Sequence, residues 1–231
     1  MICRQGDNLR LRQHAIFSRS SNFLFPCESC FIVKKAQDYY FKKAKRENYP
    51  ARSIYKLEEA QQKHHFIKPG DKVLDLGCHP GSWSLYAAKI SGVNGYVVGV
   101  DLQKSYNVPV SGIAQIEFIC SDIFDTDFIA FLSSKIPFQV VVSDLAPKTT
   151  GHKFSDHLKS IELSRRALAI ASKSLCRGGH FYCKVFQGED FQDFVNEVRH
   201  FFKKTKIVKP KSSRVESREV FVLGLEFKGA E

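Results

Sequence analysis

From residue 72 onward, short apolar runs rich in β-branched residues alternate with segments of helical period. That alternation leaves the chain few architectures. Residues 72–76, 96–101, 116–120, 138–144 and 180–185 read as strands, and 82–90, 156–175 and 190–202 as helices. The strands are apolar almost throughout, so both faces of their sheet must be covered, which is the condition of a mainly parallel sheet. Two last strands, 207–209 and 219–227, have no helix between them, so one runs antiparallel. The expectation is a Rossmann-like α/β fold: a seven-stranded, mostly parallel sheet with helices on both faces. Upstream, residues 34–48 read as a basic, aromatic helix stopping before Pro50, and 53–65 as a helix with Ile54, Leu57 and Ala60 on one face. Residues 1–33 keep no period and read as an irregular extension. The organisation is therefore an extension (1–33) and a single domain (34–231), in keeping with a length of 231 residues.

Charge is unevenly spread. Residues 1–56 hold twelve Lys/Arg against four Asp/Glu, and 203–218 hold seven against one, within a net charge of +11. Two basic stretches flanking a nearly neutral middle suit a polyanion held against a catalytic core, although charge alone serves solubility equally well. Seven cysteines, an odd number, fall partly in strands and suit free thiols in a reducing compartment. Cys27 and Cys30 make one CxxC with no second ligand pair, so no metal is expected. No apolar run reaches a membrane span. Residues 1–33 contain Arg4, Arg10, Arg12 and Arg19 with few acids. They suit either a mitochondrial transit peptide or extra residues from an upstream start, so the location is cytoplasmic unless the former holds.

The first strand ends in Asp75-Leu76-Gly77-Cys78-His79-Pro80-Gly81-Ser82-Trp83. A glycine turn there lets a ligand approach the backbone and the next helix's free N–H groups. The pattern is not GxGxxG, which disfavours a nicotinamide enzyme. An acidic residue two positions before the first glycine suits a cationic amino group, as in S-adenosylmethionine. Asp101 ends the second strand, placed for ribose hydroxyls, and Asp122 follows the third, placed for an adenine amino group. Singly each is ordinary turn chemistry; together they favour an adenosyl cofactor. The fourth strand ends in Ser143-Asp144-Leu145-Ala146-Pro147, and Lys184 interrupts the apolar fifth strand. A lysine there needs a partner or must snorkel to solvent, and Asp144 is the natural partner if the strands adjoin.

Read together, these segments resemble the FtsJ-type (RrmJ/RlmE) ribosomal RNA 2′-O-ribose methyltransferases across about residues 35–228. The resemblance is carried by Ala51-Arg52-Ser53 with Lys56, the 75–84 loop, the 143–147 run, Lys184-Val185-Phe186-Gln187-Gly188, Lys209-Pro210 with Ser212-Ser213-Arg214, and Ser217-Arg218-Glu219-Val220. It implies a class I fold dependent on S-adenosyl-L-methionine and a catalytic tetrad of Lys56, Asp144, Lys184 and Glu219. It also implies cofactor contacts from Gly81, Trp83, Asp101, Asp122 and Asp144, beside Asp75, Gly77 and Pro80 of the loop. The implied substrate is a uridine of large-subunit ribosomal RNA within the subunit, met by a monomer. Lys184 would accept the hydroxyl proton or steady the alkoxide, with Lys56 orienting the hydroxyl. Cys78 and His79 stand where the family has two alanines, and Ser82 where it has glycine. Ser82 is expected to cap the helix, and His79 to lie exposed or touch the methionine end. Residues 34–48 and 203–218 are expected to hold RNA phosphates, with Tyr39, Tyr40 and Phe41 available for stacking or packing. A transfer RNA or cap ribose as substrate, and a non-catalytic assembly factor, are the rival readings.

Overall fold

The computed structural model describes residues 39–105, 110–148, 150–214 and 216–229. The extension 1–33, its CxxC and the start of the basic helix lie outside them. Within the described residues, 39–46 are helical. The chain continues as α1 (Ile54–His64), β1 (Lys72–Leu76), α2 (Ser82–Ser91), β2 (Tyr96–Asp101), β3 (Gln115–Cys120) and α3 (Thr126–Ser133). It ends with β4 (Phe138–Ser143), α4 (Lys153–Ser174), β5 (Leu175–Phe186), α5 (Phe191–Phe201), β6 (Phe202–Val208) and β7 (Glu219–Phe227).

Seven strands form one sheet in the order β3-β2-β1-β4-β5-β7-β6. β1 to β5 pair in parallel, and β7 lies antiparallel between β5 and β6. The apolar strands need cover on both faces and receive it. Leu74, Val98, Val141, Phe181 and Val222 pack with residues of α3, α4 and α5. Val73, Val97, Val140, Tyr182 and Phe221 pack with α1 and α2. Strand order reverses between β1 and β4, and a crevice opens there at their carboxyl ends. Among the described residues no helix is long and apolar enough to cross a membrane.

Three elements differ from the sequence reading. α3 was not expected: its eight residues are too few to display a period, though Phe128 and Leu132, one turn apart, are both buried. α4 ends at Ser174, ahead of the helix-stop signature Gly178-Gly179. The pair sits inside β5, where the register against β4 slips between Phe138 and Val140 and Gly178 takes φ +84°. β6 begins at Phe202, well before residue 207, because its exposed lysines disguise it. Lys203, Lys204 and Lys206 blunt an edge strand, and the first two pair with Glu226 at 3.2 and 2.9 Å.

Candidate active site

At the switch point lies a cleft of about 450 Å³. Gly77, Asp101, Asp122 and Asp144 line it, with His79 and Leu145 beside them. Gly77 has φ +80°, and a Cβ there would stand 3.0 Å from the Leu145 backbone nitrogen, so only glycine lets the two loops meet. Asp101 accepts hydrogen bonds from the backbone N–H of His79 (3.1 Å) and of Gln103 (2.9 Å). Asp122 accepts from Phe124 N–H at 3.0 Å. Two carboxylates, set at the ends of adjacent strands and held by backbone amides, are fit to receive ribose hydroxyls and an amino group. His79 is exposed at the cleft's edge.

Asp75 sits lower. It is wholly buried in β1, with one carboxylate oxygen accepting from Ser84 Oγ at 2.6 Å and the other, Oδ1, unpartnered. Gly99 leaves the space this needs, since a Cβ there would lie 2.9 Å from Ser84 Oγ and 2.7 Å from the Phe118 ring. Burial pushes the Asp75 carboxyl up to about 7, Ser84 pulls it down, and the charges of Asp144 and Asp101 add to the rise. An orphaned acceptor under a glycine turn fits a cationic ligand group, which the ammonium of S-adenosylmethionine supplies. Because the folded protein holds this proton more tightly than the unfolded chain, the ligand-free protein should lose stability as pH rises from about 4 to about 7. Asp75→Asn is expected to flatten that slope in thermal melts and to weaken cofactor binding. A slope unchanged by the substitution would refute this account.

The lysine-carboxylate cluster stands at the rim of the cleft. β4 and β5 are parallel with Ser143 opposite Cys183, so the next residue on each brings Asp144 to Lys184. Lys184 is 6% exposed, and its Nζ donates to Asp144 Oδ1 and to the Asp144 carbonyl, both at 2.7 Å. An ammonium has three donors, and these bonds use two. Glu219 opens β7 opposite Phe186, and its Oε2 lies 4.0 Å from Lys184 Nζ. Lys56 reaches it from α1, with Nζ 2.8 Å from each Glu219 carboxylate oxygen. The four side chains thus form a chain of alternating charge, Asp144–Lys184–Glu219–Lys56, drawn from four elements.

Other expected residues fall elsewhere. Trp83 does not line the cleft: it is 2% exposed in the core of the α1–α2 face, where its Nε1–H donates to the Ser53 carbonyl at 2.8 Å. Ser82 does not cap α2. Gly81 holds the cap position, and Ser82 Oγ instead accepts the backbone N–H of Ala51 at 2.7 Å. That bond reaches across 31 residues, which no local capping rule anticipates. Gly81 (φ +103°) and Pro80 shape the turn between cleft and helix. The 209–214 motif supplies two further residues to the cluster. Lys209 donates to the carbonyls of Ser217 (2.5 Å) and Glu219 (2.6 Å), and Ser213 Oγ donates to Glu219 Oε1 at 3.0 Å. They hold Glu219 in place, and Lys209 is thereby committed to the protein rather than to a free phosphate contact.

With this geometry in view, the comparisons with known proteins are specific. The model of the FtsJ-like methyltransferases matches residues 49–227. The chain belongs to the FtsJ-like methyltransferase family. It is 51% identical over 197 residues to the ribosomal RNA large subunit methyltransferase E of Desulfotalea psychrophila, an alignment covering 85% of this chain and 98% of that one. Among solved structures, a Plasmodium falciparum protein described as a ribosomal RNA methyltransferase superposes with a TM-score of 0.67 at 24% identity, covering 79% of this chain and all of that one. Aeropyrum pernix fibrillarin, solved with natively bound S-adenosyl-L-methionine, gives a TM-score of 0.53 at 16% identity over 75% and 76% of the two chains. The FtsJ-like chain is accordingly an S-adenosylmethionine-dependent methyltransferase with the class I fold. The expected family, fold, enzyme class and cofactor all hold.

Proposed function

We propose that this enzyme methylates a ribose 2′-hydroxyl of large-subunit ribosomal RNA, at a uridine, and that Lys56, Asp144, Lys184 and Glu219 carry the reaction. The observation that supports it most is Lys184: a nearly buried ammonium, tied twice to Asp144 at the cofactor cleft and left with one N–H for a substrate oxygen. The relatives' names add the ribosomal RNA.

S-adenosylmethionine, when bound, supplies an electrophilic methyl group. Asp101 and Asp122 hold the adenosyl end, and Asp75 answers its ammonium. Asp144 belongs both to the cleft lining and to the Lys184 pair, so it fixes cofactor and lysine relative to each other. Lys184 Nζ steadies the developing oxyanion, and the 2′-proton passes to solvent water as the oxygen takes the methyl group. Lys56, held by Glu219, orients the same hydroxyl from the other side. Holding the two reactants in line supplies much of the rate.

RNA reaches this centre along a groove of about 680 Å³ between the 39–46 helix with α1 and the β6 end. Tyr39, Tyr40, Lys63, Lys206, Lys209 and Lys211 are among its walls, and Lys209 leads directly to Glu219. Tyr40 is packed on Tyr55 with ring centroids 5.2 Å apart, whereas Tyr39 and Phe41 are exposed. RNA affinity should fall linearly on a log–log salt plot. Lys63→Glu and Lys211→Glu should each weaken RNA binding about tenfold with cofactor affinity unchanged. Unaltered RNA binding in both variants would remove the groove from the reading.

The deciding experiment supplies labelled cofactor with large ribosomal subunits, free ribosomal RNA, transfer RNA and capped RNA, then maps the modified nucleotide. A 2′-O-methyluridine in subunit RNA is the expected product. Label in transfer RNA or cap alone would replace the substrate, and label in none would remove the function. The enzyme acts as a single-domain monomer in the cytoplasm, or in the mitochondrion if residues 1–33 are a transit peptide.

A further inference from the structure

We infer that Trp83 and Tyr182 are positioning residues for Lys56, coupling the start of the cofactor-loop helix to the lysine–glutamate pair. The inference rests on the role given to Lys56 above. Its basis is where two buried polar groups are satisfied. Ser53 O accepts the backbone N–H of Lys56 at 3.1 Å and the indole N–H of Trp83 at 2.8 Å. The carbonyl of Lys56 itself accepts the hydroxyl of Tyr182 at 3.0 Å. The turn carrying Lys56 is thus pinned on both sides by side chains from other elements. Ser82 pins its approach through Ala51 N.

The two pins are joined to each other. Trp83 stacks on Tyr182 at 5.7 Å and lies 5.9 Å from Phe221, and Tyr182 stacks on Phe221 at 4.8 Å. All three rings are buried. Tyr182 is two residues before Lys184 on β5, and Phe221 two residues after Glu219 on β7, so ring and charge share a sheet face in each strand. Lys56 Nζ lies 5.8 Å from the Phe221 ring centre. The platform therefore touches the strands of Lys184 and Glu219, the helix after Gly81, and Lys56 itself. Phenylalanine would fill such a core without a buried N–H or O–H to satisfy. Both polar groups are spent on one turn, the one that delivers Lys56.

The test uses substitutions that keep an aromatic ring at each position. Tyr182→Phe removes only the hydroxyl, and Trp83→Phe removes the indole N–H together with part of the ring volume. Each is expected to lower kcat about three- to tenfold, the worth of one hydrogen bond, with cofactor Kd unchanged by titration. In a Lys56→Ala background the same substitutions should change kcat by less than about twofold, because a positioning effect vanishes with the residue positioned. An equal loss in both backgrounds, or no loss with Lys56 present, would overturn the inference. Wild-type turnover by Lys56→Ala alone would instead overturn the role of Lys56. Melting temperatures of all variants separate these outcomes from misfolding.

Discussion

Lys184→Ala is expected to lower single-turnover methyl transfer by about 10²- to 10⁴-fold, with cofactor affinity within about threefold of wild type. The lysine does not line the cleft proposed for the adenosyl group, so its loss should not disturb that cleft. What disappears is the donor left over from the two Asp144 bonds, in a place where 6% exposure leaves little water to replace it. Lys184→Arg should rescue little, because a planar fork cannot take the place of a compact ammonium seated between Asp144 and Glu219. Rapid-quench assays with saturating RNA, paired with calorimetric titration of the cofactor, separate the two quantities. Near-normal turnover by Lys184→Ala would end the mechanism.

Asp144→Ala should be costly in a second way. It removes the carboxylate and leaves a nearly buried lysine with one backbone carbonyl and a glutamate 4.0 Å away. Breaking a buried pair from one side costs about 3–5 kcal/mol. In a domain of this size that lowers the melting temperature by about 6–20 °C. Asp144→Ala with Lys184→Met should recover most of that loss without recovering activity, since an apolar side chain of similar length needs no partner. If the double variant melts as low as Asp144→Ala alone, the loss comes from the cleft wall and not from the stranded charge.

The frame of the molecule was open to reading because its cause is local. Apolar strands announce a sheet covered on both faces, and their spacing announces the helices between. What escaped depends on distant partners or disguise. β6 looks like a charged linker because an edge strand hides its period behind lysines. Gly178-Gly179 carries a helix-stop signature, yet its conformation is spent on a strand irregularity. The charged centre was only half legible from the residues. Asp144 and Lys184 occupy neighbouring strand ends, and a lysine in an apolar strand demands a partner. Lys56 and Glu219 meet across 163 residues, and only family resemblance brought them forward. Ser82 departs for the same reason: the loop it follows predicts a local cap, and the fold employs it, with the Trp83 indole, on the turn before Lys56.

The position of β7 has a consequence for the order of assembly. Glu219 enters the sheet on a strand that must slot between β5 and β6, both made earlier. Glu219 is the carboxylate that Lys56 and Lys184 share, at 2.8 and 4.0 Å. The residues that line the cleft, Gly77, Asp101, Asp122 and Asp144, all precede residue 219, whereas β7 supplies Glu219 and core side chains to both faces of the sheet. The last strand made therefore closes the core and completes the charged centre in one step.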